Sequence, residues 1–124
     1  MAEKTRTPAE YLAEFLNFID QCCTDYQFAY DAVGEEDGRL QDLLHEMEFA
    51  TDKAERNRVA TKLQNSRKER RRNKDVVKLN EQVVKFFDEK SHRDTLNKMR
   101  QLLGRQRKEE EYLFGERVYK PRAE

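Results

Sequence analysis

The stretch DKAERNRVATKLQNSRKERRRNKDVVKLNEQVVKFF, residues 52–87, decides the fold class. It runs without glycine or proline, and almost every residue in it is a good helix former, so it predicts one long helix over 52–88. The apolar residues gather at the two ends. Val59, Ala60 and Leu63 mark one end; Val76, Val77, Leu79, Val83, Val84, Phe86 and Phe87 mark the other. Gln64 to Asp75 contains no apolar residue, and within it Arg67 to Lys74 places six cations in eight positions.

Upstream, Thr7-Pro8-Ala9-Glu10 supplies an N-cap, a proline at the first helical position and a capping-box glutamate. A helix is therefore expected from Pro8. Leu12, Phe15, Leu16, Ile19, Cys22, Cys23, Tyr26, Tyr30 and Val33 follow at spacings of three and four and give it one apolar stripe. Gly34 and Gly38 are read as ending this helix at 33, and Leu40, Leu43, Leu44 and Met47 as a short helix over 39–49. Downstream, Ser91-His92-Arg93-Asp94 reads as an N-cap with an acid at the third helical position, opening a helix over 92–113 through Leu96, Met99, Leu102 and Leu103. Val118, Tyr119 and Pro121 make 116–122 an extended tail.

The composition agrees. The 124 residues are 40% charged and 36% hydrophobic, with four glycines, two prolines and no tryptophan. A sandwich or barrel needs turn residues far more often than this. Leu, Ile, Val and Phe total only 26, which makes a thick self-sufficient core doubtful and points to partner copies completing it. The expectation is an all-α protein, a single helical domain over 1–124, with long antiparallel helices, a shorter C-terminal helix and an extended tail, assembled as a homo-oligomer.

No window is apolar enough to span a bilayer and the amino terminus MAEKTRTPAE has no signal core, so a cytoplasmic location and no membrane partner are expected. Cys22 and Cys23 are adjacent, a poor geometry for a mutual disulfide. His45 and His92 stand apart from any ligand-spaced cluster, so neither a metal nor a cofactor is expected. Neither GxSxG, HExxH, GxGxxG nor a phosphate-binding Walker loop occurs, and the chain is read as no enzyme.

A formal net charge of zero conceals a strong division. Residues 1–50 carry 3 basic and 12 acidic side chains, residues 51–124 carry 22 and 13. The acidic helix can neutralise the basic one, within a subunit or across an oligomer, and the second half can hold an anion; the two readings are compatible. On a helical wheel Arg67, Arg70, Arg71 and Lys74 share one face, a geometry suited to phosphate oxygens. Phe86 and Phe87 offer stacking faces or core, Asn97 ten residues beyond Phe87 offers an amide edge, and Arg117, Tyr119 and Arg122 bring aromatic and cationic groups from the tail. DNA or RNA binding is the alternative, because phosphate neutralisation needs little more than a basic stripe; a pI near 6.8 and the lack of a reading motif count against it.

The succession Asp42-Leu43-Leu44-His45-Glu46-Met47-Glu48, Ala60-Thr61-Lys62-Leu63, Arg67-Lys68-Glu69-Arg70-Arg71, Lys74-Asp75, Leu103-Gly104-Arg105 and Arg117-Val118-Tyr119-Lys120-Pro121-Arg122 resembles a widespread family of small phage and prophage proteins. Within it, the pattern is similar to the first type of Thoeris anti-defence sponge proteins. The resemblance implies a helical oligomer that sequesters a cyclic ADP-ribose immune signal in the infected bacterial host without degrading it, some members also holding cyclic oligonucleotides. It further implies that Phe87 stacks adenine, that Asn97 reads its edge, and that Arg117 and Arg122 contact phosphates or ribose hydroxyls. Arg67 and Arg70 would serve a second cyclic-nucleotide site or the oligomer interface. Glu109-Glu110-Glu111 and Leu113-Phe114 depart from the family's pattern.

Overall fold

The computed structural model describes residues 6–115. Three helices account for nearly all of them: α1 (Pro8–Glu48), α2 (Lys53–Asp88) and α3 (Lys90–Phe114). Among the described residues there is no strand. The tail at 116–122 lies outside the described residues.

The first expectation to fail is the break after Val33. The helices expected over 8–33 and 39–49 are one uninterrupted helix, Pro8–Glu48, of 41 residues, about 60 Å at 1.5 Å per residue. Neither Gly34 nor Gly38 has a positive φ, so neither turns the chain. A helix-interior glycine costs about 1 kcal/mol relative to alanine, which weakens a helix without ending it where packing on both sides holds. Here α2 grips the intervening residues: Ser66 donates to Glu36 at 2.5 Å and Arg70 Nε to Asp37 at 2.5 Å.

The described residues fall into two compact units, residues 21–85 and residues 6–20 with 86–115, and α1 runs through both. Unit 21–85 is an antiparallel helical hairpin. Tyr26, Ala29, Val33, Glu36, Leu40, Leu43 and Met47 of α1, and Val59, Leu63, Ser66, Arg70, Asn73, Val77, Asn80 and Val84 of α2, are its buried or half-buried seam. Both series alternate steps of three and four, the spacing of a coiled-coil seam. The apolar end packs Leu43, Val59 and Leu63 together with Leu40 and Met47. The middle is polar, Glu36, Ser66, Arg70 and Asn73, which accounts for the apolar gap in the α2 sequence. Asp52 caps α2, accepting from the Glu55 N–H at 2.7 Å.

The other unit buries Ala9, Leu16 and Ile19 of α1 with Leu96 and Leu103 of α3. Thr7 caps α1 as expected, its Oγ1 accepting from the Glu10 N–H at 3.3 Å. The carboxylate at this helix end is Glu110 of α3 rather than Glu10, for the Ala9 N–H donates to Glu110 Oε2 at 2.8 Å. α3 begins at Lys90, two residues before the expected 92, with Glu89 in an extended conformation as its cap and Ser91 inside the first turn. His92 stabilises this joint. Its ring stacks on Phe86 at 3.9 Å and its Nδ1 lies 2.6 Å from the Phe86 carbonyl oxygen, one of the acceptors left open at the end of α2.

Candidate functional site

The basic run sits on α2 in the hairpin unit, where helix continuity fixes the directions of its side chains. Arg67, Lys68 and Arg71, with Ala60, Leu63 and Gln64, line an open groove of about 510 Å³. Arg67 and Arg71 also line a second groove, of about 470 Å³, with Leu40, Arg70, Lys74 and Asp75. Two of the run's cations are engaged with carboxylates: Arg70 with Asp37 on α1, and Arg72 with Glu69 at 2.9 Å within α2. Among the described residues Arg67, Lys68, Arg71 and Lys74 have no carboxylate within ion-pairing distance. The acidic first helix therefore neutralises one member of the run and leaves a cluster of like charges around two grooves. Such a cluster is relieved by an anion, and guanidinium groups bind phosphate oxygens through paired, charge-assisted hydrogen bonds.

A third groove of about 360 Å³ lies farther along the hairpin, with Lys74 shared between it and the second. It is lined by Tyr30, Val33, Gly34 and Asp37 of α1 and by Lys74, Val77 and Lys78 of α2. Tyr30 and Val33 belong to the apolar stripe read along the first helix, but Tyr30 is 59% exposed. The signal was available: a tyrosine one turn before a glycine on an apolar stripe marks a place where the stripe has a gap.

Phe87 and Asn97 belong to the other unit. Phe87 is half-buried in an aromatic cluster, edge-on to Phe15 with ring centroids 6.2 Å apart and edge-on to Phe86 at 5.0 Å. Asn97 is exposed, and its Oδ1 accepts from Arg100 Nη1 at 2.8 Å, while Arg100 Nη2 reaches Asp20 at 3.5 Å. The structure thus brings Arg67 and Arg70 to one groove and places Phe87 and Asn97 in the unit that does not contain it. Arg117, Tyr119 and Arg122 lie outside the described residues.

Titration is perturbed away from these grooves. Burial pushes the Glu110 carboxyl up, but hydrogen bonds from Thr7, Gln106 and the Ala9 N–H together outweigh it and leave the pKa below its ordinary 4.5. Glu81 is lowered, and Lys85 raised, by their mutual hydrogen bond and charge attraction at 2.7 Å. Among the described residues no three His, Cys, Asp or Glu side chains converge as a metal-binding group, and no helix is long and apolar enough to cross a membrane.

Set against models of known protein families, curated proteins and solved structures, the chain finds no match.

Proposed function

We propose that this chain is a non-catalytic binder of a phosphate-bearing ligand, and that the ligand is a cyclic ADP-ribose-type signal, or a cyclic oligonucleotide, held intact in the cytoplasm of a phage-infected bacterium. The observation that supports this reading is the set of cations, Arg67, Lys68, Arg71 and Lys74, that line open grooves and, among the described residues, have no carboxylate within ion-pairing distance. The choice of ligand within the phosphate-bearing class comes from the resemblance to the anti-defence sponges. Sequestration requires tight, stoichiometric binding and no turnover, so cationic clamps beside an apolar surface suffice. By the same resemblance Arg117 and Arg122 are assigned to the ligand's phosphates or ribose hydroxyls, and Tyr119 stands between them in the tail.

Assembly is part of the proposal. Tyr11, Phe15 and Phe18 recur at steps of four and three on α1 and are 40–57% exposed. A second copy covering this stripe would supply the core that a thin helical unit lacks.

The test is calorimetric titration of the purified protein with cyclic ADP-ribose isomers and cyclic oligoadenylates, followed by heat release and chromatography of the liberated ligand. Submicromolar binding with the ligand recovered intact is expected. An absence of heat with every compound overturns the reading. The exposure of the same cations along one helix favours DNA or RNA as the second reading, and that reading predicts instead a steep loss of duplex affinity between 50 and 200 mM salt, by about 10³-fold or more if six or more phosphates are contacted.

A further inference from the structure

The groove beside Tyr30 has the composition of a site for a planar ring. Val33 and Val77, both half-buried, give it apolar walls, and the exposed Lys74 and Lys78 give it a cationic rim. Its volume of about 360 Å³ falls among small-molecule sites, which run from roughly 300 to 1,000 Å³. Tyr30 is braced from one side by Tyr26, the two rings stacked at 6.1 Å and inclined by 22°. Stacking on Tyr26 favours this orientation of the exposed Tyr30 ring, which lines the groove.

Gly34 is the second observation. Beyond its chain neighbours and the backbone of its own helix, a methyl group placed on it meets nothing within 4 Å, so the packing of the hairpin does not require glycine here. Glycine nevertheless costs the helix stability. The space above it belongs to the groove, and a side chain would occupy that space.

The third is continuity with the basic grooves. Lys74 lines both this groove and the one holding Arg67, Arg70 and Arg71, so a track leads from an aromatic wall to a set of guanidinium groups. Asp37 lines the aromatic end. Its Oδ1 takes the Arg70 hydrogen bond, which leaves Oδ2 to accept from an amino group or a ribose hydroxyl.

We infer that the Tyr30 groove holds the base of a nucleotide, stacked against Tyr30 over Gly34, with the phosphates running past Lys74 to Arg71 and Arg67. The inference rests on the phosphate-ligand reading above and adds to it the position and chemistry of the base. A bulky substitution at Gly34 blocks the base, and removal of the Tyr30 ring removes its platform. Stacking on an aromatic side chain is worth about 1–3 kcal/mol per base, so a loss of roughly fivefold or more in affinity follows.

The experiment measures cyclic ADP-ribose and cyclic triadenylate affinity by calorimetry for the wild type, Gly34→Met, Tyr30→Ala, Gly38→Met and the double variant Arg67→Gln/Arg71→Gln, with a melting curve for each. Gly38 does not line this groove, and a side chain there also meets open space, so Gly38→Met controls for a bulky residue on the same helix. The expected result is a roughly fivefold or greater loss for Gly34→Met and for Tyr30→Ala, wild-type affinity for Gly38→Met, and melting temperatures for both methionine variants at or above that of the wild type. If the wild type binds and either Gly34→Met or Tyr30→Ala keeps wild-type affinity, the base is elsewhere and the inference is overturned. The phosphate-ligand reading then stands on the loss shown by the arginine double variant. If the wild type binds neither compound, both fall together.

Discussion

Arg70 on α2 donates to Asp37 on α1 at 2.5 Å, and among the described residues it is the one cation of the run 67–74 that an acidic residue of α1 engages. The acidic and basic halves of the chain therefore meet at a single pair in this region rather than neutralising each other along their length. Removing Arg70 is expected to cost stability and removing its neighbours is not. Arg70→Gln should lower the unfolding free energy by about 0.5 kcal/mol, the scale of a partly exposed pair. Arg67→Gln and Arg71→Gln should leave it unchanged or raise it slightly, because each removes like-charge repulsion from the cluster. Urea unfolding of the three variants at low salt checks this; a destabilisation by Arg67→Gln as large as that of Arg70→Gln would mean that the run is neutralised by a structural partner.

The hairpin's apolar end should carry most of its stability. Leu63 is 8% exposed and packs with Leu43 and Val59, whereas Leu79, on the same helix, is 80% exposed. Leu63→Ala is expected to cost about 2–3 kcal/mol, toward the low end for a buried leucine because a two-helix seam closes more readily over a cavity. Leu79→Ala should stay within about 0.5 kcal/mol of the wild type. Chemical denaturation distinguishes them, and equal losses at the two positions would show that Leu79 is covered by another chain in solution.

The helices were legible because their signals are local: Thr7 before Pro8, an unbroken run of helix formers over 52–88, and apolar residues at steps of three and four. Gly34 and Gly38 do not end the helix as their local signal predicts, because the forces that carry α1 through them are not local. Ser66 and Arg70, about 30 residues away in sequence, bond Glu36 and Asp37 between the two glycines. The start of α3 was placed late for a related reason, since His92 acts on the end of α2 while Glu89 takes the cap position. Of the site, the cationic face from Arg67 to Lys74 was readable from spacing alone. The groove beside it was not, because Tyr30 and Val33 have the same spacing as core residues and only the pairing of α1 with α2 leaves one exposed.

Phe87 separates packing from stacking. Its ring is held edge-on by Phe15 and Phe86 in a half-buried cluster. Phe87→Ala is therefore expected to cost about 2 kcal/mol of stability, less than the 3–5 of a fully buried phenylalanine. Phe87→Leu keeps most of the volume and should leave nucleotide affinity within about threefold if the base lies at Tyr30. A large loss of affinity in Phe87→Leu with a normal melting curve would instead put the adenine on Phe87, as the resemblance implies.

Glu110 ties the two helices of its unit together at the start of α1, and its titration should report on that contact. The Ala9 N–H, the Thr7 hydroxyl and the Gln106 amide all bond the charged carboxylate, which outweighs its burial and holds its pKa below 4.5 in the folded protein. A lowered folded pKa means that the unfolded chain takes up the proton first as pH falls. The stabilisation is therefore fully present above about pH 4.5 and is lost as pH falls through the folded value. Glu110→Gln should melt below the wild type at pH 7, and the gap should narrow steadily below pH 4.5 as the wild-type carboxylate is neutralised. Thr7→Ala, which removes the cap hydroxyl and one of the three donors, should cost about 1 kcal/mol at pH 7 and reduce the same acid-side slope. Melting curves from pH 7 to pH 3 test both, and a gap between wild type and Glu110→Gln that stays constant over that range would show that the charge on Glu110 contributes nothing to holding α1 against α3.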